Sequence, residues 1–249
     1  MFIIKKYNYL IVAILIGGGL FLVNKTESEK STEEVTNIVK KDSYLESKDN
    51  TKENEIVEEI VPTFSYTPIP EHIKEKMIGL SMPENEPISF DNLSYLTLSY
   101  YDFYGNIQIG EMVVDKRVAS EIIEIFKEVF YKKYPIDKIN LIDEYNAIDD
   151  LSMTDNNSSS FCYRTIANTN IVSNHGKGLA IDINPLQNPH VIGDKVSPKE
   201  GYVFADRLNI QMGMIVEGDD LYSAFTKRGW TWGGHWKNPD YQHFEKKLD

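Results

Sequence analysis

An α+β domain, reached through an N-terminal membrane segment and a disordered tether, is the architecture the sequence predicts. Three observations predict it. A strand–turn–strand pattern covers Leu93 to Val114. A helical period of apolar residues follows, from Val118 to Phe130. Ahead of both, a basic start and an apolar run give way to a long polar tract.

The N-terminal elements come first. Lys5 and Lys6 precede an apolar run from Tyr9 to Val23, the layout of a signal peptide or signal anchor. No small-x-small cleavage pattern and no lipobox cysteine follow the run. A retained anchor over 1–24 is therefore expected, with cleavage as the alternative. Lysines before the run put the N-terminus in the cytoplasm and the remainder outside. Between Asn24 and Ile60 stand eleven acidic residues and six lysines with almost no aromatics. Such a segment cannot bury enough apolar surface to offset its chain entropy, so 25–60 reads as a disordered acidic linker. Pro62, Pro68 and Pro70 mark the start of a folded domain over 61–249.

Within that domain, Glu71 to Ile78 forms a short helix behind Pro70. Leu93 to Phe103 is rich in Tyr, Leu and Thr and reads as a strand; Tyr104–Gly105–Asn106 turns it; Ile107 to Val114 returns. Asp115 is placed to cap a helix running to about Lys133, in which Val118, Ile122, Ile125, Phe126, Val129 and Phe130 recur at helical spacing. Ile139–Ile142 suits a short strand, and 149–160 reads as a polar loop. Phe161–Ile166, Ala180–Ile183 and Tyr241–Phe244 are further strands, and Leu221–Arg228 a helix.

Net charge is −12, which disfavours nucleic acid as a partner. Cys162 is the single cysteine, so no intrachain disulfide exists, and a small buried apolar role suits it better than nucleophilic chemistry.

Chemistry concentrates in two places. Ser173-Asn174-His175-Gly176-Lys177-Gly178-Leu179-Ala180-Ile181-Asp182 sets a histidine seven residues before a carboxylate, with glycines between. Asp240-Tyr241-Gln242-His243 adds a second histidine three residues after another carboxylate. If 179–183 is a strand, Asp182 projects from an apolar element opposite the core-facing Leu179, Ile181 and Ile183, with small Ala180 leaving room. A carboxylate there is costly unless paired or bound to a cation. Any one of these residues alone reads as an ordinary core or surface group. Together, His175, Asp182 and His243 make a three-ligand set that holds one zinc ion and leaves a position for water. Asp240 is then the general base that moves the water proton to a leaving amine. Its rival, Glu245, shares a face with His243 if that segment is extended, and would orient the imidazole instead. Arg164 either stabilises an oxyanion beside the metal or makes a surface salt bridge. His235 reads as a rim residue, and His190 and His72 as non-ligands. Trp230, Trp232 and Trp236 either line a cleft or fill the core.

The pattern Ser-x-His-x-x-Gly-x-Ala-x-Asp with a downstream Asp-x-x-His resembles the family of D-alanyl-D-alanine carboxypeptidases and L-alanyl-D-glutamate endopeptidases, zinc metallopeptidases that include VanY-like proteins and phage endolysins. Asp182-Ile183-Asn184-Pro185, Gly229-Trp230-Thr231-Trp232-Gly233-Gly234 and Gln242-His243-Phe244-Glu245 add to the likeness, which is strongest from about Ser158 to Glu245. The resemblance implies an α+β fold with a small antiparallel sheet carrying a single zinc site. It implies His175, Asp182 and His243 as ligands, Asp240 as base and Arg164 as transition-state stabiliser. Much of the family has Glu where this chain has Asp240; the endopeptidase branch has Asp. The implied substrate is the stem peptide of bacterial peptidoglycan, met outside the cytoplasm by a membrane-anchored monomer. The competing expectation is a non-catalytic, zinc-containing module that binds the cell wall.

Overall fold

The computed structural model describes residues 61–85, 88–166 and 169–248, together with the backbone of 14–16 and 19–21. The chain divides into two units, 1–56 and 57–249. In the first, β1 (Ile14–Ile16) pairs antiparallel with β2 (Gly19–Phe21). The rest of the expected anchor over 1–24, and the linker over 25–60, lie outside the described residues. Among the described residues no helix is long and apolar enough to cross a membrane.

The second unit is mixed α and β, with small antiparallel sheets. Period-two alternation builds its central hairpin. β3 (Phe64–Thr67), β4 (Leu93–Tyr101) and β5 (Ile107–Asp115) form one antiparallel sheet in the order β3-β4-β5. Leu96 stands opposite Met112, so both enter the same face. With Leu98 and Val114 they meet Ile122, Ile125, Phe126 and Val129 of α2 (Ala119–Tyr131). The other face carries Leu93 and Val113 against Ile73 and Met77 of α1 (Glu71–Met77) and against Phe161. The hairpin is therefore covered on both sides.

Two more pairs of short strands follow. β6 (Lys138–Ile139) and β7 (Asn157–Ser158) run parallel, while β9 (His190–Ile192) and β10 (Lys195–Ser197) form a hairpin. The last sheet is antiparallel in the order β11-β12-β8, from Trp230–Trp232, His243–Lys246 and Ala180–Asp182. Ile181 of β8 and Phe244 of β12 join the α2 core with Phe225 of α4 (Asp220–Thr226) and Trp230. One continuous apolar core thus supports both three-stranded sheets.

Four local expectations need correction. Asp115 does not cap α2: it ends β5, its carboxylate takes hydrogen bonds from Arg117, and Val118 precedes the helix without a side-chain cap. Ile139–Ile142 is not one strand: β6 stops at Ile139, and a 3-10 turn takes over at Ile142. The stretch 149–160 is not a loop but holds α3 (Asp149–Thr154) and β7. Only Ser152 of α3 is buried, so no apolar stripe betrays the helix. Phe161–Ile166 is not a strand. Its amides go to scattered acceptors, Phe161 to Val113, Cys162 to His175 and Tyr163 to Ser81, so no single ladder forms.

Gly178 ties the site to the hairpin. It sits at φ 68° and its carbonyl accepts from the Asp115 amide at 2.9 Å. A Cβ there would collide with the Asp115 amide nitrogen and come within 2.8 Å of the Val114 carbonyl carbon. Gly178→Ala is expected to lose on the order of 3 kcal/mol of stability, from left-handed strain and overpacking together. Urea unfolding checks it; a change within experimental error would show that the turn relaxes freely.

Candidate metal centre and active site

β8 and β12 pair so that His243 lies directly opposite Asp182. Directly opposed residues share a face, so imidazole and carboxylate meet above the sheet while Ile181 and Phe244 point into the core. His175 arrives from the 3-10 turn His175–Lys177, and Gly178 in its left-handed conformation returns the chain to β8.

The three side chains converge. His175 Nε2 lies 3.2 Å from His243 Nδ1 and 3.2 Å from Asp182 Oδ2. His243 Nδ1 lies 3.0 Å from Asp182 Oδ1. Among the described residues this is the one His/Cys/Asp/Glu group able to hold a metal ion. In a tetrahedral zinc site with bonds near 2.0–2.1 Å, neighbouring ligand atoms stand about 3.3 Å apart. The observed separations fit that polyhedron with little adjustment.

The surroundings fix which nitrogen of each ring would face a cation. His175 Nδ1 lies 2.8 Å from the Ser160 carbonyl oxygen. A carbonyl only accepts, so Nδ1 carries the hydrogen and Nε2 is left as the ligand. His243 Nε2 faces Glu245 Oε2 at 3.4 Å, which leaves Nδ1 as the ligand. Asn174 Nδ2 donates to the same Glu245 oxygen at 2.7 Å. Glu245 therefore orients His243, as its register on β12 predicts. Glu245→Gln keeps the shape but loses the charge. It is expected to weaken metal affinity about 10- to 100-fold, measured by competition with a chelator. Unchanged affinity would remove the orienting role.

Charge balance tells the same story. Burial would raise the Asp182 carboxyl, but the His175 and His243 imidazoles outweigh it and hold it well below the usual carboxylate range. Burial works to lower the His243 imidazole, yet hydrogen bonds to Asp182 and Glu245 raise it to about 10. Without a metal, the site thus holds a proton where a dication fits.

Asp240 lies at the rim, its side chain 17 % exposed. Burial raises its carboxyl, and the nearby Asp182 charge raises it further. Gln242 Nε2 donates to Asp240 Oδ1 at 3.3 Å. Gly233 lets Asp240 sit close: a Cβ there would lie 2.6 Å from the Asp240 carbonyl oxygen and 3.2 Å from the His243 Cβ.

The other expected residues are placed as follows. Arg164 pairs with Asp149, Nη2 to Oδ2, at 2.8 Å. His235 is exposed, faces Glu217 and is not one of the three converging groups. His190 Nδ1 lies 4.0 Å from Asp240 Oδ2, and His72 is exposed on α1. Trp230 and Trp232 fill the core, whereas Trp236 is 39 % exposed with its ring 5.2 Å from that of His243. Cys162 is buried, and burial pushes its thiol up to about 11. Sequence reasoning missed the Ser160 carbonyl, Asn174, Gln242 and Asp149. Asn174 and Gln242 carry a sequence signal, their adjacency to His175 and His243; the other two carry none.

Two imidazoles and a carboxylate around one cation position, with a further carboxylate nearby, are the equipment of a metal-dependent hydrolase. Residues 167–246 match the family model described as D-alanyl-D-alanine carboxypeptidase. Over that stretch, about a third of the chain, the sequence is similar to that peptidase family, and the stretch holds His175, Asp182, Asp240, His243 and Glu245; Arg164 stands just ahead of it. No curated protein and no solved structure matches the chain.

Proposed function

We propose that the domain is a zinc-dependent peptidase that hydrolyses peptide bonds in the stem peptides of bacterial peptidoglycan, of the D-alanyl-D-alanine carboxypeptidase or L-alanyl-D-glutamate endopeptidase type. The observation that carries this reading is the convergence of His175, Asp182 and His243 within 3.0–3.2 Å, with the Asp240 carboxylate hydrogen-bonded to Gln242 and to none of the three. A zinc ion held there supplies Lewis-acid polarisation of the scissile carbonyl. Water adds to the carbonyl carbon, and Asp240 takes its proton. As the C–N bond breaks, Asp240 returns that proton to the amine nitrogen. Burial, which raises the Asp240 carboxyl, makes it a better proton holder than a solvated one. The Arg164 guanidinium stabilises negative charge on the former carbonyl oxygen. Export behind the apolar run from Tyr9 to Val23, as a membrane-anchored monomer, brings such a domain to its substrate.

Mass spectrometry of defined muropeptides after incubation with the zinc-loaded protein tests the reading. The expected result is loss of a terminal D-alanine, or cleavage that exposes a new D-glutamyl amine. Muropeptides bound but unchanged in mass would favour the non-catalytic wall-binding module.

A further inference from the structure

We infer that Asp149 is a positioning residue that fixes the Arg164 guanidinium at the oxyanion end of the site. The inference rests on the peptidase reading above for its effect on turnover. Arg164 has a locked backbone and a long side chain. Its carbonyl accepts from the Ser173 amide at 3.0 Å, and its backbone packs so closely on Gly176 that a Cβ there would lie 3.0 Å from that carbonyl oxygen. The neighbouring Cys162 amide donates to the His175 carbonyl at 3.3 Å. The Arg164 backbone is thus held beside a metal ligand, and what remains to be set is where the guanidinium points.

Asp149 sets it. Its Oδ2 forms an ion pair with Arg164 Nη2 at 2.8 Å. The carboxylate is presented by the first residue of α3, and α3 is itself tied down, since Ser152 Oγ accepts from Asn157 Nδ2 at 3.0 Å. Asp149 also stands within electrostatic reach of His175 and Asp182, which puts the pair on the metal side of the domain. Both side chains are only half-buried, 33 % and 37 % exposed. A pair so exposed contributes little to stability, so its use is geometric. A guanidinium with one nitrogen on a fixed carboxylate and a hydrogen bond to the Cys162 side chain loses rotamer freedom, and its five N–H donors leave capacity for a further oxygen.

The test is a double-mutant cycle on the zinc-loaded protein. Asp149→Asn is expected to retain fold and zinc content, and to lower kcat about 10- to 100-fold with little change in KM, the size expected when a catalytic contact is misplaced by about an ångström. Asp149→Glu is expected to recover part of the loss. Arg164→Ala sets the floor, and Asp149→Asn/Arg164→Ala falls no further, because the carboxylate acts through the guanidinium. Wild-type kcat in Asp149→Asn alongside an inactive Arg164→Ala would overturn the inference, as would additive losses. A readout independent of turnover separates this from failure of the peptidase reading. The order parameter of the Arg164 Nε–H group, from ¹⁵N relaxation, is expected to fall in Asp149→Asn; an unchanged value overturns the inference even if the wild type cleaves no wall peptide.

Discussion

Replacing Asp240 by asparagine is expected to leave zinc content intact and lower kcat for wall-peptide hydrolysis by about 10²- to 10⁴-fold, the usual contribution of a positioned proton carrier. The amide keeps the size of the side chain and can still meet Gln242, so the turn over 239–243 holds its shape. What it cannot do is accept a proton from water and deliver it to the amine. The Asp240 carboxylate makes no hydrogen bond to the three ligand atoms, so its loss leaves the ligand set in place and zinc is expected to stay bound. Steady-state kinetics and elemental analysis on one preparation decide the matter. Full activity in the variant would remove Asp240 from the chemistry and turn attention to another carboxylate.

His243→Ala is expected to lose both metal and hydrolysis, and the reason extends to pH. His243 is raised to about 10 in the metal-free chain, whereas an unperturbed imidazole sits near 6.5. The sign follows from linkage. A group whose pKa is raised by folding contributes stability that is fully present below its unfolded value and is lost as pH climbs to the folded one. Metal-free protein should therefore become less stable between about pH 6.5 and 10, by up to a few kcal/mol. His243→Ala should lack that slope. Because Nδ1 must shed its proton to bind a cation, zinc affinity should rise about tenfold per pH unit through neutrality, with about one proton released per ion. Denaturation in chelator at several pH values and calorimetry in buffers of different ionisation enthalpy measure the two effects. A flat stability profile, or no proton release, would contradict the charge balance at the site.

The convergence of His175, Asp182 and His243 was legible because short-range spacing carries it. A His–x₆–Asp motif interrupted by glycines and a downstream Asp-x-x-His survive any detail of the fold. The β4–β5 hairpin and α2 were legible because alternation and helical period are local patterns. Legibility ended where the governing contact is remote or leaves no pattern. α3 has one buried side chain, a serine, so its residues read as loop. Phe161–Ile166 has the apolar and aromatic composition of a strand, but its amides find partners in three different parts of the chain. Asp115 has the right residue type for a cap, yet Arg117 claims its carboxylate first. The partner of Arg164 lies fifteen positions upstream, and no spacing rule connects the two. Glu245 is the intermediate case: parity along β12 puts it beside His243, and only the pairing with β8 tells that the strand forms there.

The Ser160 carbonyl that orients His175 has a wider consequence. It lies outside the family-matched stretch 167–246, as do the Asp115 amide that grips Gly178 and the α2 side chains beneath Ile181 and Phe244. A catalytic fragment trimmed to that stretch would keep every ligand yet lose the scaffolding that aims them. A shortened version for biochemistry or engineering has to begin ahead of β3 (Phe64–Thr67), not at residue 167.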